Sequence, residues 1–155
     1  MLIPESEDIK AAKVERVVFC SGKVYYDLIE ARRAAALENV ALVRIEQLYP
    51  FPQAEYAEVI ASYPNARDIV WCQEEPGNQG AWYQIRHRLQ EPLKQKHVLS
   101  YAGRAPSAST AAGYMQLHQQ QQKALIQDAL GVSEAKQGAA AKDKTKPNKT
   151  LTEKA

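Results

Sequence analysis

A chain of 155 residues, 45% hydrophobic and 25% charged, holds enough apolar material for one domain with its own core, which excludes a low-complexity or fibrous protein. The formal charge of +2 is unevenly placed: six lysines face three acids in residues 132–155, so residues 1–131 carry −1 and lack the basic footprint of a nucleic-acid binder. No run approaches the ~18 apolar residues of a membrane span and the acidic start Met1 to Asp8 has no signal-like stretch, so the chain reads as cytoplasmic, with neither nucleic acid nor membrane as partner.

In chain order, residues 1–13 read as an N-terminal extension, 14–131 as one α/β domain, and 132–155 as a disordered tail. In that tail alanine, lysine, threonine and glutamine replace the large apolar residues that would offset ordering entropy. Four short runs rich in β-branched and aromatic residues, at 16–20, 40–43, 68–72 and 97–101, predict strands. They are apolar without alternation, which is the pattern of strands buried on both faces in a parallel sheet. A helical pattern follows each. The first puts Val24, Leu28, Ala31 and Ala35 on one face and Glu30, Arg32 and Arg33 on the other. Pro50 and Pro52 punctuate the second corner and predict a helix from Gln53 to Ser62. Pro106, Ser107, Ser109 and Thr110 supply turn and cap candidates before a last helix that ends at Gly131 and carries Tyr114, Leu117, Leu125 and Ala129 as its apolar stripe. The expected fold is an open, mostly parallel sheet of four or five strands with helices on both faces.

Parallel strands bring their carboxyl ends to one edge, where ligands and partners bind in such sheets. That edge would collect Ser21-Gly22-Lys23, Arg44 to Gln47, Glu74 to Gly80 and Gly103-Arg104. Gly22 opens a helix whose N–H groups and dipole favour an anion, and Lys23, Arg44 and Arg104 can reinforce a phosphate or carboxylate there. The competing reading pairs those cations with Glu46, Glu74 and Glu75. Elsewhere the chemistry is sparse. Cys20 and Cys72 sit in apolar runs and read as core thiols, His87 as a surface residue, and His97 and His118 as caps or core-edge groups. No nucleophile elbow or zinc spacing occurs, so neither a catalytic residue nor a metal ligand is assigned.

Four segments taken together resemble a known family: Cys20 to Leu28 (CSGKVYYDL), Val43 to Pro52 (VRIEQLYPFP), Trp71 to Trp82 (WCQEEPGNQGAW) and Tyr101 to Arg104 (YAGR). In this order they resemble the carboxyl-terminal domain of 2-oxoglutarate dehydrogenase, in its thiamine-diphosphate-dependent, decarboxylating first component. The resemblance covers about residues 14–131 and implies a transketolase C-terminal-domain-like fold, in an enzyme that passes a succinyl group to a lipoyl arm in the citric acid cycle. Thiamine diphosphate and magnesium should bind elsewhere, because the family holds them through a Gly-Asp-Gly segment and no Gly-Asp dipeptide occurs here. The implied partners are the remaining domains of the component and its homodimer mate. Some members carry an acetyl-CoA or adenine-nucleotide effector site, which the resemblance places at Arg44, Gln47 and Arg104; with Ser21 and Lys23, which the convergence of strand ends adds, these form the expected effector-binding rim. The corner bearing Glu74, Glu75, Asn78, Gln79 and Trp82 is the expected docking surface. An assembly domain, a stand-alone binding module for CoA or adenine nucleotide, and an independent enzyme are the readings in play, and an exposed apolar face would mark the first.

Overall fold

Runs that are apolar at every position need a partner layer on each side, and the computed structural model, which describes residues 1–109 and 113–132, provides both. Strands β2 (Arg16–Cys20), β3 (Val40–Ile45), β4 (Asp68–Pro76) and β5 (Val98–Arg104) are parallel, and β1 (Leu2–Ile3) joins antiparallel at the β3 edge, giving the order β1-β3-β2-β4-β5. Helices α1 (Val24–Ala34) and α4 (Met115–Leu130) cover one face, and α2 (Gln53–Ser62) and α3 (Trp82–Gln90) the other. Alternate residues feed the two layers: Val18 and Cys20 pack under α1 and α4, whereas Val17 and Phe19 pack under α2 and α3. The architecture is the open α/β sheet that the sequence predicts, in its five-stranded form.

Register aligns Cys20 with both Arg44 and Cys72, so the strand ends share one level. The last helix ends in a left-handed Gly131, φ 70°, whose N–H donates to Asp128 O. Residues 133–155, read above as a tail, lie outside the described residues.

Three local readings are corrected. Residues 1–13 lie on the domain: the main chain of Leu2–Ile3 pairs with β3, and a Glu5 carboxylate oxygen accepts the Leu42 N–H at 2.7 Å. Arg32, expected on the solvent face of α1, is 2% exposed. Its guanidinium donates to Glu5 (2.5 and 3.0 Å), to Glu7 (2.6 Å) and to Val40 O (3.0 Å). Helical periodicity cannot foresee carboxylates delivered from outside the helix, and a buried charge persists only with such partners. Finally, Tyr114 and Leu117 are exposed; α4 buries Leu125, Ile126, Ala129 and Leu130, because only its second half lies over the sheet.

Candidate functional site at the carboxyl edge of the sheet

Beyond Cys72, β4 continues through a register irregularity to Pro76, and a buried Gln73 organises the corner that follows. Its Oε1 accepts from Trp71 Nε1 at 2.9 Å and from the Trp82 backbone N–H at 3.1 Å, and its Nε2 donates to Gln79 O at 2.8 Å. Gly80 closes the loop at φ 68°, where a Cβ would stand 2.8 Å from Gln73 Nε2. Asn78 exchanges two hydrogen bonds of 2.9 Å with the Ser107 backbone, and Gln79 Nε2 donates to Ser107 O at 3.2 Å. These contacts tie the corner to the segment after β5. Trp82 is half-buried against Tyr101, with ring centroids 5.3 Å apart, and Glu75 is exposed.

A cavity of about 680 Å³ opens between this corner and the β3–α2 loop. Ser21 and Lys23 border it, with Leu48 and Tyr49 on one wall, Trp71 and Ile85 at its apolar base, and Glu74 and Glu75 on the rim. That size and mixed lining suit a drug-sized molecule or an inserted peptide segment.

The five residues mapped as an effector site fall in three places. Ser21 and Lys23 line the cavity. Arg44 and Arg104 lie on the opposite, α1/α4, face: Arg44 stacks over Tyr25 at 4.5 Å, and Arg104 donates to Gln122 Oε1 at 3.1 Å with His118 Nε2 at 3.5 Å. Gln47 is exposed outside both, accepting from the Met1 nitrogen at 2.9 Å. β2 and β4 lie between the two arginines' strands, which sets their backbones about 14 Å apart by strand spacing. The carboxylates also compete. Lys23 Nζ is 2.5 Å from Glu74 Oε1, Arg44 is 3.9 Å from Glu46, and Gly22 N–H at the start of α1 is directed to Glu46 at 3.4 Å. The hydrogen bond that Lys23 donates to Glu74, reinforced by the carboxylate's charge, holds the Lys23 amine above the usual lysine range.

Sequence reasoning missed the hub that joins these groups. Gln122 on α4 accepts from Arg104 and donates to Asp27 (2.8 Å) and Glu74 (3.0 Å), so α1, β4, β5 and α4 meet at one amide. Asp27, in the first turn of α1, was equally unmarked. The thiols of Cys20 and Cys72 face each other in register, and burial pushes Cys20 up to about 12 and Cys72 higher still, which suits inert core sulfur. His97 Nδ1 accepts the Lys94 N–H at 3.0 Å, and burial lowers its pKa, so it closes a loop.

The family model for the 2-oxoglutarate dehydrogenase C-terminal region matches residues 1–130. The chain belongs to that family. The chain is 53% identical over 134 residues to the 2-oxoglutarate dehydrogenase E1 component of Azotobacter vinelandii, and 52% identical over 129 residues to that of Haemophilus influenzae. The Rickettsia prowazekii E1 component is 41% identical over 133 residues. These alignments cover 83–84% of this chain and 14% of each relative, so the chain spans about one seventh of the length of these relatives. Among the described residues, no helix is long and apolar enough to cross a membrane, and no group of three or more His, Cys, Asp or Glu could hold a metal ion.

Proposed function

We propose that this chain is the C-terminal assembly domain of the decarboxylating first component of a 2-oxoglutarate dehydrogenase, contributing structure and not chemistry to oxidative decarboxylation in the citric acid cycle. The observation that carries the reading is the family match over residues 1–130 at one seventh of the relatives' length. Thiamine diphosphate with magnesium supplies the decarboxylation chemistry in such a component. The donor sets here do not fit it: the described residues offer no carboxylate cluster for the metal, and the sequence has no Gly-Asp step. The cofactor is accordingly assigned to the remaining domains, and the homodimer mate to the same assembly. The corner of Glu74, Glu75, Asn78, Gln79 and Trp82 belongs to the docking surface in this reading. The purified chain should show no 2-oxoglutarate turnover, and activity should return on mixing with the rest of the component. Turnover by the chain alone, or no recovery on mixing, would sink the proposal.

A regulatory role is the second reading, favoured by two buried guanidinium nitrogens, Arg44 Nε and Arg104 Nε, that have no hydrogen-bond partner on the α1/α4 face. An extended phosphorylated effector, acetyl-CoA or an adenine nucleotide, spans the 14 Å scale between them, about three strand spacings, and Ser21, Lys23 and Gln47 lie along the same edge. Calorimetric titration of the assembled component with acetyl-CoA and with AMP tests it.

A further inference from the structure

The exposed large apolar side chains are not spread over the surface. Eight stand out among the described residues, and seven of them belong to the carboxyl edge of the sheet. Tyr26 lies in the first turn of α1, Tyr83 in the first turn of α3, and Tyr49, 92% exposed, in the loop after β3. Tyr114, Met115 and Leu117 occupy the first turn of α4 and the residue that caps it. His118, one residue further along, is already level with Arg104, the last residue of β5, so that turn overhangs the strand ends. Met1 sits at the same edge, its carbonyl accepting from Glu46 and Gln47 N–H. Val98 alone of the eight lies at the opposite edge.

Four tyrosines, two methionines and a leucine along one edge, with Tyr49 in the wall of the cavity, match the composition of a buried interface, where aromatic residues and methionine are enriched. Scattered exposed apolar residues need no explanation, but a grouping at one edge marks a binding surface. The path of the chain identifies the occupant. In the relatives the matched segment is 14% of the polypeptide and the matching family model is the C-terminal one, so the bulk of the polypeptide precedes it and reaches the sheet at Met1, on this edge. We infer that the carboxyl edge, with the cavity between Tyr49 and the Gly80 corner, is the face on which the preceding domains of the same polypeptide seat, while the amino edge of the sheet stays in solvent. This rests on the reading of the chain as one domain of a longer dehydrogenase component, and it specifies which face that component covers.

Hydroxyl-radical footprinting of the chain alone and of the assembled component that contains it tests the assignment. Tyr26, Tyr49, Tyr83 and Met115 are labelled in the chain alone and lose their labelling in the component, whereas Val98 is labelled equally in both. The double substitution Tyr26→Ala, Tyr49→Ala weakens association roughly tenfold, while Val98→Ser leaves it unchanged. Protection at Val98 with continued labelling of the four carboxyl-edge residues overturns the face while leaving the assembly reading intact. A dimer of the chain alone, detected by sedimentation and protecting those same residues, overturns the occupant. Failure of the chain to enter any component overturns the inference together with the reading on which it rests.

Discussion

The two edges of the sheet differ in what they leave uncovered. At the amino edge, charged residues close on one another: Arg32 with Glu5 and Glu7, Arg16 with Asp68 at 3.0 Å and with the last carbonyls of α4, Lys13 with Glu38. Its connections are short, five to seven residues, and their apolar members Leu37, Tyr63, Ala66 and Leu93 pack into the two cores. At the carboxyl edge, Gln73 and Gln122 bind the interior together, yet tyrosines and a cavity are left uncovered outside it. One edge is closed by the chain's own ion pairs, and the other leaves large apolar side chains uncovered. The contrast teaches that the same fold can hold its stability and its contact chemistry at different ends.

The largest effect that would break this comparison is at the amino edge. Arg32→Ala leaves Glu5, whose side chain is 5% exposed, without its cation. Breaking one side of a buried pair costs about 3–5 kcal/mol, so denaturant unfolding should show a much lowered midpoint. A loss under 1 kcal/mol, the ceiling for exposed pairs, would show the cluster to be only surface charge. On the carboxyl edge the matching expectation is small in the isolated chain and large in the assembly. Trp82→Ala should weaken association with the remaining domains by about 2 kcal/mol, measured by calorimetry, while unfolding stays cooperative. Equal binding would remove the corner from the interface.

A smaller effect concerns the effector reading. Arg104→Ala removes a charge-assisted donor, so the affinity of the assembled component for acetyl-CoA should fall about tenfold or more. Unchanged affinity would leave Arg104 as the clasp that fastens α4 through Gln122, nothing more.

Much of this was readable in advance, and the omissions share a cause. Val17 to Cys20 announce a two-sided strand because every position is apolar, and Pro52 fixes the start of α2 at Gln53, since a pre-set φ and a missing N–H suit a helix entry. Arg32 could not be read, because its partners Glu5 and Glu7 arrive from a segment more than twenty residues away. Tyr114 and Leu117 fit a helical stripe, but only the length of β5 decides that the first turn of α4 overhangs. At the site, strand parity carried a signal that went unused: Arg44 shares a face with Leu42, and Gln73 with Trp71, which separates the arginines from the cavity and points Gln73 at the corner. Gln122 gave no local sign, since its role exists only where four elements meet.

The smallest expected effect separates the edges by acid. The hydrogen bond from Arg33, joined by Arg32, holds the Glu7 carboxyl below the ordinary carboxylate value of 4.5, and partial burial opposes it only in part. A carboxyl lowered on folding adds stability that is fully present above its unfolded value and is lost as the pH falls through the folded one. Glu7 therefore supports the amino edge fully at neutral pH, and that support is lost as the pH falls from about 4.5 through the lowered folded value. The Lys23 amine, raised by Glu74, has the reverse sign: its contribution is complete below the usual lysine value of 10.5 and fades only as the pH climbs through the raised one. Glu7→Gln keeps the shape and removes the charge, so its unfolding midpoint should lie below that of the unaltered chain at pH 7, and the gap should narrow as the pH falls below 4.5. Arg33 is 62% exposed and Glu7 29%, so water and salt screen the pair, and 1 M salt at pH 7 should narrow the same gap. A gap that persists unchanged from pH 7 to pH 3 would mean that Glu7 acts through packing, and that the amino edge is held by Arg32 and Glu5 alone.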